Sequence, residues 1–296
     1  MKTWITAVSL IACVISTSFA VPAQCEETYQ TEVSAEYDHT ADSQSNDSTL
    51  YGIAAQFFFE PVKTDDHPYA EAAFLERIGS FSVLAATFEQ DISTLSTKVS
   101  GPAIAADVTL AKPGFPLTLE AMYLTENLDF ESPNTGSVKI TTYDVKIGNF
   151  FTNTFHAGIE YTANNTEFSG GLTGPTLKGT DYGLFAKYIY ELEQSRELSF
   201  EGSVLLENLD DGTETLKNTD FTLSVDYFLN RSLSFGVNVG SNSGDDKSLT
   251  GTTYGANVLY FFTPRFSARV AYNRFENSSA DEASNYTTTV LAALRF

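Results

Sequence analysis

The chain has 296 residues, with 17 Lys and Arg against 38 Asp and Glu, a net charge of −21. So acidic a chain lacks the clustered basic residues that phosphate binding requires, which excludes nucleic acid as a partner. Two cysteines exclude a disulfide scaffold and a cysteine-rich zinc site. A content of 42% hydrophobic residues, with 23 Phe and 15 Tyr, excludes a disordered chain.

Residues 1–23 are predicted to be a secretory signal peptide. Lys2 supplies the positive charge, an apolar or small stretch follows, and small residues stand where signal peptidase cleaves. We expect cleavage after Ala23, which leaves one domain, 24–296, with Cys25 as its single cysteine. The box Leu10–Cys13 resembles a lipoprotein signal, but the apolar run continues beyond Cys13, which favours ordinary export.

The rest of the chain has the period of β-strands. After residue 24 no apolar run approaches 18 residues, so no transmembrane helix is predicted. Apolar residues instead alternate with others over about ten residues at a time, as in Leu233, Phe235 and Val237. The fourteen predicted strands are 29–38, 49–59, 79–90, 101–111, 117–126, 138–148, 154–163, 181–191, 197–207, 220–229, 232–241, 252–262, 265–274 and 285–296.

The lengths of these strands and of their connections favour a barrel in a membrane. Strands of a soluble β-sandwich average about five or six residues, whereas strands of about ten cross a bilayer when tilted. Short turns such as Thr263-Pro264 alternate with longer polar loops such as Asn277–Ser284, which is typical of outer-membrane barrels. Aromatic residues beside the short turns resemble an interfacial girdle. The sequence therefore predicts an all-β, transmembrane, antiparallel up-and-down β-barrel.

Residues 60–78 depart from this scheme. The segment is too long for a short turn, and Tyr69–Arg77 is predicted to form either a short helix or a further hairpin. A hairpin would raise the strand count from fourteen to sixteen.

Two stretches resemble known families. The last predicted strand ends on Phe with apolar residues at alternate positions behind it, which resembles the signature that the barrel assembly machinery reads in bacterial outer-membrane barrels. That resemblance assigns an assembly signal to Tyr286, Val290, Leu294 and Phe296. Residues 68–83, PYAEAAFLERIGSFSV, resemble a stretch common in general bacterial porins of Gram-negative outer membranes. It implies passive diffusion of small hydrophilic solutes through a barrel surrounded by outer-membrane lipid and lipopolysaccharide.

The polar positions of the predicted strands form a candidate pore lining. Fourteen strands with small polar inward residues favour a water-filled channel, and no predicted loop is an obvious inward-folding constriction. Nine acids against four bases predict a preference for cations. The candidate pore-lining residues are Glu32, Glu36, Asp107, Glu120, Asp144, Lys146, Glu160, Lys187, Glu197, Glu201, Asp226, Arg269 and Arg295.

Little in the sequence points to catalysis. His39 and His67 are predicted in a loop and a turn, and His156 on the lumen face. No nucleophile elbow, metal-ligand spacing or phosphate-binding loop accompanies them. We therefore predict no enzyme, no catalytic or metal site and no cofactor.

The leading interpretation is a cation-preferring outer-membrane porin. The alternatives are a structural or adhesive barrel with a closed lumen and, third, a barrel enzyme that acts on lipid. Solute specificity, size limit and oligomeric state stay open.

Overall fold

A computed structural model describes residues 28–43, 46–64, 67–92, 97–131, 135–172, 176–192, 196–210, 215–245, 250–278 and 284–296. These residues form a closed barrel of fourteen antiparallel strands, in which β1 pairs with both β2 and β14. The strands are β1 (Thr28–Asp42), β2 (Asp47–Lys63), β3 (Ser80–Ile92), β4 (Thr97–Leu110), β5 (Leu117–Glu131), β6 (Gly136–Phe150), β7 (Phe155–Gly170), β8 (Leu177–Glu191), β9 (Glu197–Asp210), β10 (Thr215–Asn230), β11 (Leu233–Gly244), β12 (Gly251–Thr263), β13 (Phe266–Asn277) and β14 (Asn285–Arg295).

The predicted fold class and the count of fourteen strands are confirmed. Between β2 and β3 lies a one-turn helix, α1 (Ala72–Leu75), rather than a further hairpin. Among the described residues, no helix is long and apolar enough to cross a membrane. The predicted signal peptide and Cys25 lie outside the described residues.

Local side-chain hydrogen bonds close the short turns. The Asn230 side-chain oxygen accepts hydrogen bonds from the backbone N–H groups of Ser232 (2.8 Å) and Leu233 (3.0 Å), which turns β10 into β11. The Thr152 hydroxyl accepts from the Phe155 N–H at 2.9 Å and so starts β7. The end of the barrel that holds these turns and both strand termini Thr28 and Arg295 is called the turn end below, and the other the loop end.

The strands extend further toward the loop end than the alternation predicted. Strand β7 continues to Gly170, beyond the predicted end at 163, and β10 starts at Thr215 rather than at 220. Both extensions consist largely of polar residues, which pair across the sheet without an apolar face. His39 accordingly lies within β1 and not in a loop, contrary to the prediction.

Candidate functional site

The wall of the barrel has two chemically different faces. On β6, Tyr143, Val145 and Ile147 are exposed on the outside, and Asp144 and Lys146 alternate with them. Because successive strand residues point to opposite faces, the polar pair faces the lumen. The same alternation holds around the barrel. Every second residue contributes to rows of exposed apolar side chains, which form an outer band suited to lipid.

All thirteen candidate pore-lining residues have the parity opposite to the exposed apolar row of their own strand. The structure therefore places each of them on the lumen face. Further acids of the same parity lie closer to the loop end and were missed, because the sequence interpretation kept to the middle of each strand. These are Asp38, Glu126, Asp181, Glu207 and Asp220. A role of these residues in permeation stays a prediction.

Four carboxylates surround one ammonium on the lumen face of β4 to β7. Lys146 Nζ lies 3.0 Å from Glu160 Oε1, and Lys146 is the cross-strand partner of both Glu160 and Glu120. The Thr162 hydroxyl donates to Asp144 Oδ2 at 2.7 Å. With Asp107 on the neighbouring β4, this part of the wall keeps a surplus of negative charge that one lysine does not neutralise.

Residues 67–79, called the crossing segment, extend across the turn end from the junction of β2 and β3. Glu71 Oε2 lies 2.8 Å from Lys187 Nζ on β8, nearly opposite in the strand order. The Tyr69 N–H donates to the Arg231 carbonyl at 3.0 Å, in the turn between β10 and β11. The Arg77 guanidinium donates to the Asn153 side chain at 2.9 Å, in the turn between β6 and β7. The segment is thus attached to three separate parts of the wall.

A ring of inward-facing apolar side chains receives this segment. The ring residues come from alternate strands at the turn end, and each is at most 6% exposed: Phe58, Phe150, Ile189, Phe228 and Phe261. Two aromatic contacts carry the packing, with ring centroids 5.1 Å apart for Phe74 and Phe150, and 5.3 Å apart for Tyr69 and Phe261. Ala72 of the segment is itself fully buried.

The crossing segment packs inside the turn end, so an element folds into the predicted water-filled channel there. The inward-folding element was not foreseen, because it comes from the connection between two strands at the turn end and not from a long loop. Part of the predicted aromatic girdle also has a different role. Phe57 and Phe262 face outward, whereas their neighbours Phe58 and Phe261 belong to the buried inner ring.

Arg295 on β14 forms a fourth attachment for the crossing segment. Its Nε lies 2.6 Å from Glu32 Oε2, and its NH1 group donates to the Tyr69 carbonyl at 2.7 Å. The guanidinium stacks over the rings of Tyr29 (4.3 Å) and Phe261 (4.7 Å). Arg295 is 8% exposed, so this cation is buried with its charge paired and its planar faces covered.

His156 is packed into the wall at the turn end. It is 5% exposed, its Nε2 is 2.7 Å from the Thr118 hydroxyl, and its ring stacks on Phe150 with centroids 4.5 Å apart. His67 lies in the crossing segment, 3.5 Å from Glu76. In the described part of the chain, no group of three or more His, Cys, Asp or Glu residues could hold a metal ion.

A family model described as "Putative general bacterial porin" matches residues 1–296. The chain belongs to this porin family. Omp33, an outer membrane protein of Acinetobacter baumannii, has a similar structure with a TM-score of 0.60 and 18% identity, over 92% of this porin and 100% of that chain. A FadL homologue of Pseudomonas aeruginosa has a TM-score of 0.51 and 8% identity, over 91% and 90%. No curated protein matches the chain.

Family and fold together make this porin a channel-type barrel of the bacterial outer membrane. The resemblance inferred from residues 68–83 is therefore confirmed. In the porin, that same stretch contains all of the crossing segment except His67, and the start of β3.

Proposed function

We propose that this porin is a passive diffusion channel for small hydrophilic solutes and that it prefers cations. The observation that carries the proposal is the charge of the lumen face. Of the four bases among the candidate lining residues, Lys187 and Arg295 are engaged at the turn end with Glu71 and Glu32. The middle of the lumen then has Lys146 and Arg269 against the acidic cluster on β4 to β7. Charges of one sign in a low-dielectric cleft concentrate counter-ions.

Passage through the barrel requires the crossing segment to move. Its aromatic contacts with the ring residues hold it inside the turn end, while the candidate pore-lining residues farther along the lumen are charged. We infer that the structure represents the closed channel and that displacement of residues 67–79 opens it. Even strand numbers put both strand termini at the periplasmic side, so this gate faces the periplasm.

Export and assembly complete the proposal. Residues 1–23 act as the cleaved signal peptide, and residues 24–296 form the single barrel domain. Tyr286, Val290 and Phe296 face outward or end β14, where the barrel assembly machinery can read them together with Leu294. Lipopolysaccharide and outer-membrane lipid surround the outer apolar band.

The filled turn end also favours a second candidate, a structural or adhesive barrel whose lumen stays closed. The observation that favours this candidate is the buried ring that includes Phe228 and Ile189. Close apolar packing of this kind stabilises the crossing segment inside the turn end. The family match favours the channel instead.

Planar-bilayer recording in a KCl gradient tests the proposal. We expect ohmic current steps and a reversal potential shifted toward the equilibrium potential of K⁺. This shift should become smaller in the double variant that combines Asp107→Asn with Glu120→Gln. The matched control is Glu167→Gln, an exposed carboxylate outside the lumen, accompanied by a second exposed change, Asp129→Asn. Anion preference, or an equal response to both pairs, would contradict the lumen assignment. Absence of any conductance at all would favour the closed barrel.

A further inference from the structure

Glu197 is a buried carboxyl without a charge partner beneath the crossing segment. It is the first residue of β9, it is 7% exposed, and its Oε2 accepts no hydrogen bond from any residue that the structure describes. Glu191 is its cross-strand partner on β8. An ionised carboxylate left in such a place is costly, since burial opposes the charged form.

The groups around Glu197 make the cost larger. The carboxylates of Glu191 and of Glu71 on the crossing segment lie close enough to repel its charge. Lys187 on the neighbouring strand β8 is already attracted by three other acids, namely Glu71 at 2.8 Å, Glu201 at 3.7 Å and Asp226. Further titratable or charged groups at the turn end are Arg77 and His156, Arg231 in the turn between β10 and β11, and the pair of His67 and Glu76 on the crossing segment.

Docking of the crossing segment brings Glu71 into this acidic site. When Glu197 is ionised, the segment must bury a like charge beside it, which opposes docking. When Glu197 is protonated, the repulsion is lost and the carboxyl gains an O–H that can donate to a neighbouring carboxylate. In both cases Glu71 keeps its contact with the Lys187 ammonium.

We propose that Glu197 is an acid-sensitive latch: protonation of its carboxyl holds the crossing segment in the turn end, so that mild acid closes the channel. The consequence for conductance rests on the channel function proposed above. The consequence for docking does not, because it concerns the position of residues 67–79 whether or not ions pass.

Hydrogen–deuterium exchange of peptides covering residues 67–78 measures docking directly. The porin is purified from outer membranes in detergent. The protection factor of each peptide is the exchange rate of an unstructured peptide at the same pH divided by the rate measured in the porin. We expect the protection factor of these amides to rise about tenfold between pH 7.5 and pH 5, the change that one unit of altered proton affinity produces. Strand amides of β11 and β12 should keep the same protection at both values.

Variants assign the effect to Glu197. Glu197→Gln should keep high protection at both pH values, and Glu191→Gln should move the response to lower pH by removing one repelling charge. The control Glu207→Gln lies on the same strand and face, toward the loop end, and should respond like the unmodified porin. Equal protection of the unmodified porin at both pH values overturns the latch. An undiminished pH response in Glu197→Gln also overturns it and would point to His156 instead.

Conductance recorded on the same samples separates the two proposals. Exchange that responds to pH in a porin without conductance leaves the latch intact and rejects the channel. Conductance that falls in acid while exchange stays constant rejects the latch and leaves the channel.

Discussion

Lys187 Nζ lies 2.8 Å from Glu71 Oε2, and this ion pair joins β8 to a segment that leaves the wall on the other side of the barrel. The side chains are 21% and 9% exposed, so the pair is largely removed from water. Lys187 also lies over the Phe74 ring at 4.8 Å. One lysine therefore contacts the crossing segment twice, through its charge and through an aromatic face.

Replacing this lysine should loosen the gate. Lys187→Met leaves the buried Glu71 carboxylate without its cation, which weakens docking by on the order of 3 kcal/mol. We expect single-channel recordings to show a larger fraction of time in the conducting state. Lys146→Met is the matched control, because it removes one lumen ammonium whose partner Glu160 belongs to the wall and not to the segment. The same gain in both variants would mean that lumen charge, rather than docking, is responsible.

A methyl group at Gly148 should disturb the packing under the segment. A Cβ there would fall on the His156 imidazole and 2.7 Å from the Thr118 hydroxyl, so the His156 ring must move off Phe150. We expect Gly148→Ala to destabilise the barrel by about 1–3 kcal/mol, read as a lower temperature for the heat-induced shift in gel mobility. In Gly52→Ala, by contrast, the new carbon meets its nearest atoms at 3.7–3.8 Å and the temperature should hold. Equal temperatures for the two variants would refute the packing role.

Removal of Phe296 should impair assembly. Its backbone N–H donates to the Thr31 carbonyl at 2.8 Å, and its carbonyl accepts from Gln30 at 2.6 Å, which continues the pairing of β14 with β1. We expect the deletion to lower the amount of porin in outer-membrane fractions several-fold. Phe275→Ala, toward the loop end of β13 and away from this seam, should accumulate normally. Comparable amounts of the two proteins on immunoblots would argue against the assembly signal.

The wall was predictable because its signal is local. Each strand alternates within itself, as in Tyr143 to Ile147, and this period of two specifies both the strand and its faces. The parity that places Glu160 and Asp226 in the lumen follows from the same pattern. Strand ends near the loops were predicted too short, because polar residues such as Asn164 and Asn165 show no alternation of hydropathy.

The crossing segment was not predictable from local pattern. Its position depends on contacts distant in sequence, such as Tyr69 with Arg295 and Arg77 with Asn153. One signal was present in retrospect: aromatic residues at both parities beside the turns, such as Phe57 with Phe58. A lipid-facing girdle needs aromatic residues only at the positions that point outward. The aromatic residues at the intervening, inward-pointing positions therefore indicated an apolar element inside the turn end.

The seat of Tyr69 combines Arg295 of β14 with Glu32 of β1, the two strands that meet where the sheet closes on itself. Before those strands have joined, the Glu32 carboxylate does not lie beside Arg295 to orient its guanidinium toward the Tyr69 carbonyl. During biogenesis this one attachment of the crossing segment is therefore complete only once the sheet has closed. In a newly inserted porin, closure of the sheet and seating of the crossing segment are thus coupled through a single guanidinium.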